Sequence, residues 1–336
     1  MPDVPHLPLP HLYLWEILNM NDLFGREIRY LRLSVTELCN LRCRYCMEED
    51  GICKKTHGEM LTQEETLLAV ETAASLGIHK VRITGGEPLV KPDLLSLCRR
   101  VAAVEGISQL CLTTNGTLLP PLAVPLREAG VRKINISLDT LQPEKYTYIT
   151  RTGTLSQAMD GLYAALSAGF EQVKVNVVLI GGLNDDEILP LAQLTRQLPV
   201  DVRFIELMPM AKTHGFPPEA FLPCSAVLER LPDARPLPHD GGVAQRYRLP
   251  GALGCIGLIR PISQHFCSRC DRLRLTADGK LKPCLHTAEE FSVKGLDREG
   301  MKAQFLRAAQ AKPSCHGTLS PTQHSPAGRA MNKIGG

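Results

Sequence analysis

Six short runs of β-branched and apolar residues recur along the first two thirds of the chain, each followed by a stretch with helical character. They are Leu31 to Val35, Val81 to Thr84, Leu110 to Thr114, Lys133 to Leu138, Val173 to Leu179 and Val202 to Leu207. Between them lie helix-start signals: Thr62 ahead of Glu64 and Glu65, Pro92 with Asp93, and Asn184 with Asp185. Such alternation demands crossovers between parallel strands and so a parallel sheet. Six βα repeats fall short of a closed (β/α)8 barrel, so the expected fold is α/β, a partial, open TIM-type (βα)6 barrel whose gap something else must cover.

Strands buried on both faces read as continuous apolar runs, but here one parity is polar. It carries Arg32 and Ser34, Arg82 and Thr84, Thr113 and Asn115, Asn135, Ser137 and Asp139, Lys174 and Asn176, and Glu206. Sharing one face, these side chains would line a cavity instead of filling a core, and Arg32, Arg82 and Lys174 suit phosphate oxygens. An anionic ligand is expected.

Immediately after the first strand come Cys39, Cys43 and Cys46 in a C-x3-C-x2-C run. The spacing is too tight for a disulfide pair and lacks the fourth ligand of a closed zinc site, whereas three thiolates can hold a four-iron cluster with one iron open. A second set, Cys267, Cys270 and Cys284, follows the sixth repeat as C-x2-C-x13-C. Here zinc competes with a cluster, because His265 or His286 could complete a tetrahedron. Between these cysteines Arg272 and Arg274 alternate on one strand face, which suits a triphosphate or carboxylate.

The 336 residues are 44% hydrophobic, ample for a large core, and carry a formal net charge of +3, too weak a field to argue for nucleic acid or membrane binding. Half of the twelve cysteines fall in the two metal spacings and the rest are scattered, which points to a reducing cytoplasm. Residues 1 to 20 contain no Lys or Arg, so no export signal is read, and no run reaches the roughly eighteen apolar residues of a spanning helix. The proline-rich start and the Ser-, Pro- and His-rich segment near the end bury little and read as mobile. The resulting divisions are a flexible extension over 1–21, a barrel over 22–220, a C-terminal α+β region over 221–311 and a mobile tail over 312–336 that ends in Gly335 and Gly336.

Gly25-Arg26, residues 31–36, the first cysteine triplet, residues 82–89 with Gly85-Gly86-Glu87-Pro88, residues 113–116, residues 135–139, Arg203 to Glu206, the second cysteine set with Arg272 and Arg274, and the terminal diglycine follow one another in order. Together they resemble the GTP 3′,8-cyclase family, radical S-adenosylmethionine (SAM) enzymes of molybdenum-cofactor biosynthesis. The resemblance implies two [4Fe–4S] clusters, the first on Cys39, Cys43 and Cys46 and the second on Cys267, Cys270 and Cys284. It implies SAM contacts at Tyr45, Gly86, Ser137 and Met208, and GTP contacts at Arg32, Arg82, Thr113, Lys174, Arg272 and Arg274. It further implies that a 5′-deoxyadenosyl radical removes the ribose 3′ hydrogen of GTP and that Gly335 and Gly336 take part in the catalytic step. An external one-electron donor of the flavodoxin or ferredoxin type, a downstream cyclic pyranopterin monophosphate synthase, and a monomer or homodimer come with the same resemblance. One departure is Glu48, which follows Met47 where the family commonly has proline. The competing readings are a radical SAM peptide maturase with an auxiliary cluster and a non-enzymatic zinc-binding regulator.

Overall fold

The computed structural model describes residues 20–52, 56–210, 216–317 and 319–335. Six strands alternate with helices: β1 (Tyr30–Ser34), α1 (Gln63–Ser75), β2 (Lys80–Thr84), α2 (Leu94–Ala102), β3 (Gln109–Thr114), α3 (Ala123–Glu128), β4 (Val131–Ser137), α4 (Pro143–Thr150), α5 (Leu155–Ser167), β5 (Gln172–Leu179), α6 (Ile188–Gln197) and β6 (Val200–Glu206). Each expected strand is present, with its ends shifted slightly. The remainder adds α7 (Ser225–Arg230), β7 (Arg235–Pro236), β8 (Gln245–Arg248), β9 (Ile256–Ile259), β10 (Arg272–Leu275), β11 (Lys280–Lys282), β12 (Phe291–Ser292), α8 (Arg298–Gln310) and α9 (Met331–Ile334).

Local chemistry explains the helix starts unevenly. Thr62 and Glu65 form a reciprocal capping box at α1, with Thr62 Oγ1 accepting from Glu65 N at 3.1 Å and Glu65 accepting from Thr62 N at 2.8 Å. Asp93 makes no cap bond and pairs instead with Lys91 at 2.9 Å. Asn184 is buried and spends its side chain across the barrel top, accepting from Ile180 N and donating to the carbonyls of Asp139 and Val178. That use ties the ends of β4 and β5 together.

All twelve strands form one sheet in the order β12-β11-β10-β1-β2-β3-β4-β5-β6-β9-β8-β7. β1 to β6 are mutually parallel, and the C-terminal region extends them at both edges, since β10 joins β1 and β9 joins β6, again in parallel. The sheet does not close among the described residues, in keeping with an open barrel. Its outer parity (Leu31, Leu33, Ile83, Leu112, Ile134, Val175, Phe204) is buried under the helices.

One parity assignment needs correcting. Register pairs Lys174 with Asp201 and Asn176 with Arg203, but Leu179 with Glu206. Side chains alternate faces along a strand, so Arg203 faces the lumen and Glu206, three residues on, faces away. Glu206 is fully buried and accepts from the backbone N–H groups of Cys224 (3.1 Å), Ile262 (3.0 Å) and Ser263 (2.9 Å), locking β6 to the C-terminal region.

The tail also departs from expectation. Lys312, Ser325, Asn332 and Ile334 are buried, and Ser325 pairs with Met210 in an isolated bridge. Composition suggested mobility because few side chains there are apolar; the segment is instead packed through polar atoms and through a small apolar cluster of Ala327, Met331 and Ile334 with Met210. Residues 1–19, most of the extension assigned to 1–21, lie outside the described residues, as does Gly336.

Candidate active site

The three cysteines of the first set lie on the loop that leaves the C-terminal end of β1. The backbone of β2's following turn braces that loop: Gly86 N donates to Thr36 O and Glu87 N to Leu38 O, each at 2.8 Å. A Cβ on Gly86 would sit 2.3 Å from Leu38 O, which is why no larger residue fits. Sequence reasoning attributed this glycine to ligand approach; the close neighbour is the cysteine loop itself. Glu87, 1% exposed, accepts from Asn115 N and Thr114 Oγ1, each at 2.7 Å, and from Leu89 N at 3.0 Å. Burial lifts its carboxyl to about 7 against those hydrogen bonds.

Burial likewise pushes the Cys39 thiol up to about 11 and Cys46 up to about 12, and Cys43 well above its ordinary range; after burial, Cys46 and Cys39 add to the shift of Cys43, and Cys39 to that of Cys46. Tyr45 turns inward and donates to Asp139 Oδ2 at 2.6 Å; Asp139 also accepts from Val178 N at 2.8 Å. Tyr45, Cys43, Ser137, Asn115 and Asp139 line a small cavity, and on its other side Tyr45 joins Met208, Phe216, Phe221 and His324 around an apolar cleft. Of the four expected SAM-contacting residues, Tyr45 and Ser137 thus share the small cavity with Cys43, Met208 shares the adjoining cleft with Tyr45, and Gly86 backs the cysteine loop.

Deeper in the lumen the cations gather. Arg82 donates to the Tyr30 hydroxyl at 2.6 Å and to Leu112 O at 2.9 Å, and reaches Thr113 Oγ1 at 3.5 Å. Arg272 stacks over the rings of Tyr30 (5.3 Å) and Phe266 (5.9 Å). Arg32 and Arg82 are register partners, as are Arg32 and Arg274. The crowding shows in their acidities. Burial, then Arg203, pulls the Lys174 ammonium down to about 7, while burial and Arg272 pull Arg274 to about 10. For Tyr30, Arg82, Arg32 and Arg272 outweigh burial and bring the phenol down to about 8. Buried in the same lumen, and without a hydrogen-bond partner among the described residues, are Asn135 Oδ1, Asn176 Oδ1 and Arg272 Nε. Such atoms call for a polar ligand.

The second set is assembled by the β10–β11 hairpin. Cys267 and Cys270 precede β10 and Cys284 follows β11, where Arg274 pairs with Lys282. Among the described residues no group of three or more His, Cys, Asp or Glu side chains closes around a single ion. Of the two histidines weighed as a fourth zinc ligand, His286 holds Nδ1 3.0 Å from Ser325 Oγ, and the rings of His265 and His286 each pack edge-on against His316 at 5.3 Å. Three thiols spread over a hairpin suit a cluster, which takes its thiolates on separate irons.

The tail meets both regions. The side chain of Asn332 donates to Glu37 O, in the loop leading to Cys39, at 3.1 Å. Gly335 then enters the lumen with φ at 79°, its carbonyl accepting from Arg274 at 2.7 Å and Arg32 at 3.4 Å. A Cβ there would lie 2.4 Å from Thr84 Oγ1.

Residues 33–195 match the Radical SAM superfamily model, and residues 200–317 match Molybdenum Cofactor Synthesis C. The GTP 3′,8-cyclase of Alkaliphilus oremlandii is 46% identical over 321 residues, covering 94% of this chain and 100% of the relative. The corresponding cyclases of Moorella thermoacetica and Geobacter sulfurreducens are 45% and 41% identical, again over 94% of this chain and 100% and 99% of theirs. The chain belongs to the GTP 3′,8-cyclase family. In architecture it is similar to Streptococcus suis SuiB bound to S-adenosylmethionine, at a TM-score of 0.62 and 14% identity, covering 86% of this chain and 66% of that one, just under two thirds of its length.

For a GTP 3′,8-cyclase family member, two residues without a role in the sequence reading stand out. Arg203 was quoted within a motif but given no place in the lumen; counting by twos along β6 would have found it. Lys312 carried no local signal at all. It is 3% exposed and donates to Arg272 O (2.8 Å), Pro283 O (3.0 Å) and Cys270 Sγ (3.5 Å), so it clamps the hairpin that carries the second cysteine set. Among the described residues, no helix is long and apolar enough to cross a membrane.

Proposed function

We propose that this chain converts GTP to (8S)-3′,8-cyclo-7,8-dihydroguanosine 5′-triphosphate, the first step of molybdenum-cofactor biosynthesis. The carrying observation is the lumen itself: Arg32, Arg82, Lys174, Arg203, Arg272 and Arg274 share it, and burial together with mutual repulsion pulls the pKa of Lys174 down to about 7 and those of Arg203 and Arg274 down to about 10. A triphosphate relieves that repulsion. Cys39, Cys43 and Cys46 would hold one [4Fe–4S] cluster and Cys267, Cys270 and Cys284 the other, with Tyr45, Gly86, Ser137 and Met208 around SAM. When bound, the first cluster and SAM supply one-electron cleavage and hydrogen abstraction at the ribose 3′ position.

The chain's own residues do the rest. The cations anchor the triphosphate, Thr113 adds a hydroxyl beside Arg82, and Asn135 and Asn176 offer unpaired oxygens to ligand N–H or O–H groups. The resulting placement brings ribose and base into near-attack geometry and keeps water out. In this reading 22–220 supplies the SAM site and 221–311 the second cysteine set, while Gly335 reaches the lumen. An external one-electron donor of the flavodoxin or ferredoxin type, transfer of the product to a cyclic pyranopterin monophosphate synthase, and a cytoplasmic location, as monomer or homodimer, belong to the same proposal.

The test is an anaerobic assay of the reconstituted protein with SAM, a reductant and GTP, read as 5′-deoxyadenosine and cyclised nucleotide. Arg274→Ala should lower GTP affinity about ten- to a hundredfold, from loss of roughly 1.5–3 kcal/mol of charge-assisted bonding, and hardly touch guanosine. Equal losses for GTP and guanosine would contradict the triphosphate anchor.

A further inference from the structure

Arg329 stands where the tail passes from the second cysteine region to the first. Its Nε and Nη2 donate to the two oxygens of Glu290 at 2.6 Å each, and Nη1 reaches both oxygens of Asp278 at 3.1 and 3.0 Å. Glu37 Oε1 lies 3.8 Å away. These carboxylates come from three places: the loop leading into Cys39, the turn between β10 and β11, and the segment between Cys284 and β12. The Arg329 side chain is 17% exposed, and the fully buried Lys282 shares Glu290 at 3.3 Å.

We propose that Arg329 is the positioning residue of the tail, the latch that sets how far Gly335 enters the lumen. The physical reason is twofold. α9 spans four residues, too few to persist as an isolated helix, so its place depends on what holds its ends. Ahead of it, three carboxylates converge on one guanidinium, and removing that cation would leave their mutual repulsion less compensated. Beyond the latch, α9 delivers Asn332 to Glu37, and Gly335 to Arg274 and Arg32. A bidentate fork fixes direction as well as distance, which a lysine cannot do.

The activity arm of the test rests on the proposed cyclase reaction; the structural arm does not. Hydrogen–deuterium exchange by mass spectrometry on the full, cluster-loaded chain would follow the peptide spanning α9 and Gly335 in wild type, Arg329→Ala, Arg329→Lys and Glu290→Gln. Arg329→Ala should speed exchange in that peptide about tenfold or more, with Lys and Glu290→Gln intermediate, and leave α1 and α5 unchanged. Iron content and GTP affinity should stay within about twofold, and cyclised product should fall at least tenfold with little change in KM. Unchanged tail exchange in Arg329→Ala, or faster exchange throughout the fold, would overturn the latch. Faster tail exchange in a protein whose wild type forms no cyclised nucleotide would support the latch and reject the reaction.

Discussion

Around Cys39, Cys43 and Cys46 the charged neighbours are mainly carboxylates, Glu87 and Asp139, with Arg42 as a counterweight at Cys39. Around Cys267, Cys270 and Cys284 they are cations, Lys312, Arg272 and Arg274. The outcome differs at one position: burial drives every thiol of the first set up, and Cys267 and Cys284 of the second, whereas at Cys270 Lys312 and Arg272 outweigh burial and leave the thiol below its ordinary range. The means of support differ too. Backbone packing at Gly86 braces the first loop, and a buried side chain, Lys312, braces the second. Two sites with the same ligand count therefore have different weak points.

The largest effect should come from the cysteines themselves. Changing Cys39, Cys43 and Cys46 together to Ala should halve the iron and sulfide of reconstituted protein and abolish 5′-deoxyadenosine formation. Changing Cys267, Cys270 and Cys284 should also halve the iron but leave SAM cleavage partly intact. Equal loss of SAM cleavage in both variants would erase the functional side of the comparison.

Gly86→Ala should come next. Its Cβ, 2.3 Å from a backbone oxygen, forces the loop to move, because no flexible side chain is available to yield. First-set iron should drop several-fold while second-set iron stays, as resolved by Mössbauer spectra of the two single-set proteins carrying the change. Lys312→Met should do the reverse and more mildly: two buried carbonyls lose their donor, at a cost of about 1–3 kcal/mol, so thermal unfolding should shift down by several degrees and iron should be lost from the second set alone. Loss of first-set iron in that variant would show that the two braces are not independent.

The smallest effect is a pH dependence. The Lys174 ammonium, depressed to about 7 from 10.5, is protonated below that pH, so GTP affinity should fall as pH rises through about 7. Isothermal titration at several pH values should show the slope, and Lys174→Arg should flatten it. The sign for stability is opposite: above about 7 the folded lysine has lost its proton while the unfolded one keeps it, so this residue makes stability rise with pH towards 10.5. A slope that survives Lys174→Arg would assign the titration elsewhere.

Much of this was legible along the chain because its causes are local. Strand alternation, the capping box at Thr62 and the cysteine spacings each need only a few neighbouring residues. The polar parity was readable as well, but one miscount along β6 exchanged Arg203 for Glu206, since adjacent faces differ by a single step. Lys312 and Arg329 were not readable. Their meaning lies in carbonyls and carboxylates brought from distant segments, and a lysine or arginine in a polar tail looks the same whether solvated or clamped. The packing of the tail was hidden for the same reason.

The placement of β9 and β10 at opposite edges of the six-stranded core has a consequence for how the chain can be cut. Family models divide it near residue 200, yet the later portion grips the earlier one from both sides in a single continuous ladder. A fragment ending after β6 would present two bare parallel edges, each a template for unwanted pairing. The break between the two matched regions is therefore a boundary of ancestry and not of mechanics: the halves should melt together, and either one made alone should seek a partner along its exposed backbone.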